Sequence, residues 1–155
     1  MSTNTKPGST QGAKSSTKSR MIFPIILLLL TCSHGLWAQD IEVATIAWNI
    51  QQKLDVSIGS SESVSERIVS YGNNHIAWEG EKGILKYDYV IRQVNGQWSN
   101  VAQSGSILYE VESGGKQGTI GFTRDGQEII INLVLLNGDS FPERFRFTVS
   151  NVLPL

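Results

Sequence analysis

The amino-acid sequence predicts an all-β fold: a single antiparallel up-and-down domain, barrel-like or a sandwich, of eight to nine strands after a signal peptide. Three observations predict it. Beyond residue 39, apolar side chains recur at every second position, the strand period, because successive side chains point to opposite faces. Pairs such as Asn95-Gly96, Asp125-Gly126 and Asn137-Gly138 punctuate those runs, and they supply the positive φ that tight hairpins need. No window of comparable length carries a sustained 3.6-residue apolar stripe.

Residues 1–39 read as a leader and 40–155 as one β domain. Met1–Arg20 is polar, with Lys6, Lys14, Lys18 and Arg20 and no acid, and the run from Met21 to Cys32 is apolar. A membrane-spanning helix needs roughly 20 apolar residues, so this run is too short and Pro24 interrupts it. A basic segment, a short apolar core and a small residue before a polar start form a secretory signal, cleaved after Ala38 or Gln39. The alternative is a lipoprotein with Leu29-Leu30-Thr31-Cys32 as lipobox and Cys32 as the acylated residue, although Thr31 stands where Gly, Ala or Ser is usual. Either way the domain is expected outside the cytoplasm, periplasmic or secreted, with no membrane span in the mature chain.

The strands follow in order. Over 42–58, Ile46, Trp48 and Ile50 alternate, and the same parity continues through Leu54, Val56 and Ile58. Gly72-Asn73-Asn74 separates strands at 64–71 and 74–79, and Gly80-Glu81-Lys82-Gly83 leads into 84–93, where Leu85, Tyr87, Tyr89 and Ile91 alternate with Lys86, Asp88, Val90 and Arg92. Asn95-Gly96 predicts a turn into a short strand at 97–102, and Ser104-Gly105 a turn into 106–112, with Ile107, Tyr109 and Val111 on one face. Strands at 117–124, 127–136 and 143–153 complete the set, with Pro142 where a missing N–H costs little. The architecture resembles that of lipocalin-like small barrels. Their Gly-x-Trp signature lies on the first strand, whereas Gly96-Gln97-Trp98 lies mid-chain and Trp48 has no glycine two residues earlier, so the likeness is one of architecture.

Composition excludes several chemistries. Four of the 13 Lys and Arg and none of the 14 acids lie in residues 1–39, so 40–155 carries a formal net charge of −5. Nucleic acid is not an expected partner, since the basic footprint that phosphate demands is missing. Cys32 is the one cysteine and His75 the one histidine beyond residue 39, so neither thiol chemistry nor a multi-His metal site is expected, and no cofactor or metal is. Asp125-Gly126 and Asn137-Gly138-Asp139 are oxygen-rich but lack a calcium-loop pattern and fit ordinary turns. His75 as a general base, or Glu79, Glu81 and Asp88 as a carboxylate pair, lack any arrangement that fixes a partner, so no catalytic residue is assigned.

The aromatic residues carry more information. Trp48, Trp78, Tyr87, Tyr89, Trp98 and Tyr109 sit mostly on the apolar parity of their strands and are the candidate ligand-binding set, stacking a sugar or enclosing an apolar ligand. The competing reading, a filled core, is favoured by the number of large side chains on the same parities. If the apolar parity faces inward, Val90, Leu108, Ile130, Val134 and Leu136 face outward as a candidate interface for self-association or for an envelope partner. The other reading of those residues is a strand at 127–136 buried on both faces. The leading functional expectation is an exported, non-enzymatic binding or interaction domain of a bacterial-type cell envelope. A small extracytoplasmic hydrolase acting on envelope or extracellular polymers and a structural envelope component are the alternatives.

Overall fold

The computed structural model describes residues 40–138 and 140–155. The expected leader, its cleavage site and Cys32 lie outside them. The described chain is all-β: β1 (Thr45–Asp55), β2 (Ser60–Tyr71), β3 (His75–Glu79), β4 (Leu85–Gly96), β5 (Gly105–Ser113), β6 (Lys116–Asp125), β7 (Glu128–Asn137) and β8 (Ser140–Pro154). Each strand pairs antiparallel with the next, and β8 returns to β1, so eight strands close into a barrel in meander order. Closure leaves no unpaired edge, which is how a one-sheet fold satisfies every ladder. Among the described residues the one helical element is a single 3-10 turn, Glu81–Gly83.

The inward parity holds the core. Ile46, Trp48 and Ile50 of β1, Ile76 and Trp78 of β3, Ile107, Tyr109 and Val111 of β5, Ile120 and Phe122 of β6, and Ile129, Ile131, Leu133 and Leu135 of β7 are all buried in one cluster. Trp48 anchors it, with Phe122 at 4.9 Å and Trp98 at 6.0 Å between ring centroids. On the outer side Ala47, Val69 and Ala77 form one in-register row across β1, β2 and β3, with Tyr71 packed against them.

One end of the barrel is closed by chain that is not strand. Residues 97–102, expected as a strand, form part of the β4–β5 connection, because β4 and β5 already pair directly as far as Gly96 and Ile107. Instead Trp98 and Val101 turn into the barrel end and join the buried cluster, together with Ile41 from the N-terminal turn. The plug is tied down by hydrogen bonds from Trp98 Nε1 to Gln103 O (3.0 Å), from Arg124 Nη1 to Val101 O (3.0 Å) and from Ile41 N to Trp98 O (3.5 Å). Gly105 makes room for it, since a Cβ there would meet the Trp98 indole at 2.4 Å.

Two expectations of parity also fail, and for one reason. Irregular pairing at Gln51 shifts β1 against both β2 and β8, so the rest of the strand changes face. Lys53, opposite buried Phe147, now points inward, Leu54 stands opposite exposed Arg146, and Val56 and Ile58 are exposed beyond the strand end. A second shift, between Trp78 and Glu79 on β3, leaves Leu85 58 % exposed although the alternation placed it with Tyr87. A bulge costs a strand one step of alternation, and period-two reasoning cannot see it.

Candidate functional site

The barrel end opposite the plug carries the β1–β2, β3–β4, β5–β6 and β7–β8 connections, and its inward positions differ in kind from the rest of the interior. β1 supplies Lys53 through the shift at Gln51, paired in register with Glu62 of β2 and Phe147 of β8. β2 supplies Glu66 on the parity of buried Ile68, and β3 supplies Trp78, which stands opposite Ile68 and Tyr87. β8 supplies Phe145 and, opposite buried Leu135, Glu143. β6 supplies Lys116, on the parity of Ile120 and Phe122.

Trp78 is the hub. Its ring stacks on Tyr87 (5.3 Å) and takes the edges of Phe145 (5.5 Å) and Phe147 (5.0 Å). Lys53 Nζ and Lys86 Nζ stand 5.7 and 5.4 Å from its centroid, within the reach of cation–π attraction. The indole Nε1 donates to Glu66 Oε2 at 2.6 Å, while Lys86 Nζ donates to Glu66 Oε1. Both oxygens of Glu66 are therefore engaged from inside the barrel. Its side chain is 8 % exposed and that of Lys53 17 %, whereas Tyr87 remains 42 % exposed at the rim.

Three lysine–glutamate pairs ring these aromatics: Lys53–Glu62, Lys86–Glu66 and Lys116–Glu143, the last at 2.7 Å. Each pair is neutral in sum. The hydrogen bond from Lys53 holds the Glu62 carboxyl below the usual carboxylate range, and that to Glu143 holds the Lys116 ammonium above its ordinary value. Beneath the rim Tyr89 stacks on Tyr87 at 5.9 Å, and its buried hydroxyl has no hydrogen-bond partner among the described residues. Burial, with Tyr87 and Glu143 nearby, pushes that phenol well up. A buried hydroxyl left without a partner costs about 1–3 kcal/mol.

Of the six aromatics singled out from the sequence, Trp48, Trp78, Tyr89, Trp98 and Tyr109 are buried and fill the interior. Only Tyr87 opens to solvent, with Trp78 directly behind it. Sequence reasoning missed the charged members of this end. Lys116 and Glu143 share the inward parity of Ile120 and Phe145, a signal that was available; Lys53 lies beyond a bulge and had none. The outer-wall set lies on β4, β5 and β7, with β6 between the last two: Val90, Leu108 and Leu136 are exposed, Ile130 and Val134 half-buried. Polar residues interleave them, because Val90, Glu112, Gln117 and Leu136 make one row across β4–β7 and Glu110, Thr119 and Val134 the next.

The remaining candidates are not assembled into a catalytic group. His75 stacks on Tyr71 (4.2 Å), Glu79 pairs with Arg67, and Asp88 stands opposite Ala77 with no hydrogen bond to either among the described residues. No group of three or more His, Cys, Asp or Glu that could hold a metal ion is present among the described residues. Nor is any described helix long and apolar enough to cross a membrane. No family model, no curated protein and no solved structure matches the chain, so a reading of function rests on the geometry of this barrel end.

Proposed function

We propose that the chain is an exported, non-enzymatic binding domain of the cell envelope that takes a small polar or amphipathic ligand at the end built around Trp78. One observation carries this reading: ion pairs occupy inward positions of a barrel that is otherwise filled with apolar side chains. Withdrawing Glu66 and Lys53 from water has a desolvation cost that attraction to their respective partners, Lys86 and Glu62, seldom exceeds, and apolar residues of the same size serve stability as well or better. Charges kept there suit recognition. An aromatic face at Trp78 and Tyr87, cations and carboxylates around it and an unpartnered hydroxyl at Tyr89 beneath it offer stacking and directional contacts together.

The test is a fragment screen by heteronuclear NMR on the purified protein. Hits are expected to move the Trp78 indole N–H and the rim amides of Tyr87 and Lys116, and Tyr87→Ala should weaken them tenfold or more while the dispersed amide spectrum of the folded barrel is kept. Hits that scatter over the barrel, or that survive Tyr87→Ala, would remove the reading. Export is tested separately, by fractionating cells that express the full chain: retention of an unprocessed product in the cytoplasm would contradict it.

A further inference from the structure

A concavity of about 610 Å³ lies on the outer wall where β1, β2 and the turn after β3 meet. Asn49, Gln51, Ser65, Arg67, Lys82 and Gly83 line it, and Glu66, whose two oxygens are already taken by Trp78 and Lys86, is the lining residue it shares with the cluster around Trp78. Its floor is the in-register row Asn49, Arg67 and Glu79 across β1, β2 and β3. Glu79, its side chain only 12 % exposed, accepts from Arg67 Nε and holds the guanidinium in place, leaving the other N–H groups of the fork to the groove. The turn Gly80–Gly83 closes the far side, with the Gly83 Cα so near that a Cβ would lie 3.5 Å from Arg67 Nη2.

Lys82 is the informative residue. Its φ of 60° and ψ of 18° put it in the left-handed region, and it is the one non-glycine residue with positive φ among those described. Such a backbone costs a side-chain-bearing residue on the order of 1–2 kcal/mol relative to the right-handed form, and glycine escapes the cost. The next residue, Gly83 at φ 74°, is glycine in that same region. Backbone hydrogen bonds from Gly80 N to Ile84 O and from Gly83 N to Gly80 O hold the turn, but the Lys82 side chain itself makes no ion pair among the described residues. Residues held in strained backbone regions cluster where a ligand is bound. In a domain with a net charge of −5, the groove sets Arg67 and Lys82 together, with amide and hydroxyl groups that both donate and accept beside them.

We propose that this groove binds an acidic saccharide, its carboxylate held by Arg67 and Lys82 and its hydroxyls by Asn49, Gln51 and Ser65. Hydroxyl-rich ligands match side chains that donate and accept at once, whereas a peptide carboxylate would ask for apolar contacts flanking the cations, and of the apolar lining residues Ile50 is buried and Val64 half-buried. Heteronuclear NMR titration of the purified protein tests this with three probes: glucuronate, glucose as the uncharged match, and acetyl-Ala-Ala as a peptide carboxylate. Glucuronate is expected to give saturable shifts at Asn49, Gln51, Ser65 and Gly83 and to bind at least tenfold tighter than either control.

Lys82→Gly should raise Tm and weaken glucuronate tenfold or more; Lys82→Asn, which tolerates the same φ, should show the same weakening. Opposite signs on stability and affinity are what a merely structural lysine would not produce. Unsaturable shifts, equal binding of glucose or acetyl-Ala-Ala, or an unchanged affinity in Lys82→Gly would each overturn the proposal. Because glucuronate is read at the outer groove and the fragments at Trp78, failure here leaves the reading of the barrel end to its own test.

Discussion

At the scale of single residues, the interior is decided by where polar atoms find partners. Trp48 buries its indole completely and donates from Nε1 to Ser70 Oγ at 3.1 Å, with Ser70 itself fully buried. Ser70→Ala would strand that N–H, and a loss of about 1–3 kcal/mol is expected in denaturant unfolding. Tyr89 and Tyr109 are the opposite case, since their buried hydroxyls have no partner among the described residues. Phenylalanine at each position should therefore be neutral or stabilising. Burial pushes both phenols well above the ordinary tyrosine value. With the folded-state pKa raised, the native state holds its protons where the unfolded chain releases them, so stability is intact below the ordinary tyrosine value near 10 and falls as pH rises above it. Thermal unfolding followed from pH 8 to 11.5 should show that decline, and the double variant Tyr89→Phe/Tyr109→Phe should flatten it. An equally steep decline in the double variant would mean that the buried phenols do not govern the alkaline limb.

At the scale of elements, the connections differ in what they do. Most are short turns, but the β4–β5 connection is a plug that completes the core with Trp98 and Val101. Its fit depends on the absence of a side chain at Gly105. Gly105→Ala should push the indole outward at an overpacking cost of about 1–3 kcal/mol, visible as a lower Tm and a red-shifted tryptophan emission. An unchanged emission would place the Trp98 ring elsewhere. The turn after β3 is the counterpart at the other end. Gly80 lets the Lys86 stem pass, where a Cβ would meet its Cε at 2.8 Å, and so allows Lys86 to reach Glu66.

At the scale of the whole molecule, closure is the organising fact. β8 pairs with both β7 and β1, joining the two ends of the described chain, and such non-local pairing makes folding slow and all-or-none. Removing residues 140–155 should abolish the fold rather than trim it, because β1 and β7 would both be left with open ladders. Loss of dispersion in the amide spectrum checks this; a dispersed spectrum from the truncated chain would show that closure is dispensable. Trp48 and Trp98 report on the plugged end and Trp78 on the other, so fluorescence and far-UV circular dichroism should give coincident unfolding curves.

The strands, their antiparallel order and the filled interior were legible in the sequence, because hydrophobic alternation and turn residues act locally and each stretch of chain states its own preference. Tyr87 and Trp78 could be named on that basis, and parity alone would have turned Lys116 and Glu143 inward. Barrel rather than sandwich was decided only when β8 met β1, more than ninety residues apart in the chain, as Ile46 faces Pro154. The plug at Trp98 and the inward turn of Lys53 likewise needed the tertiary structure. A bulge or a docking loop answers to the register of distant strands, and one residue of register moves every later side chain to the other face. The grouping of Lys53, Glu66 and Lys86 around Trp78 follows from those shifts, so the candidate site is a property of the closed barrel and not of any one of its strands.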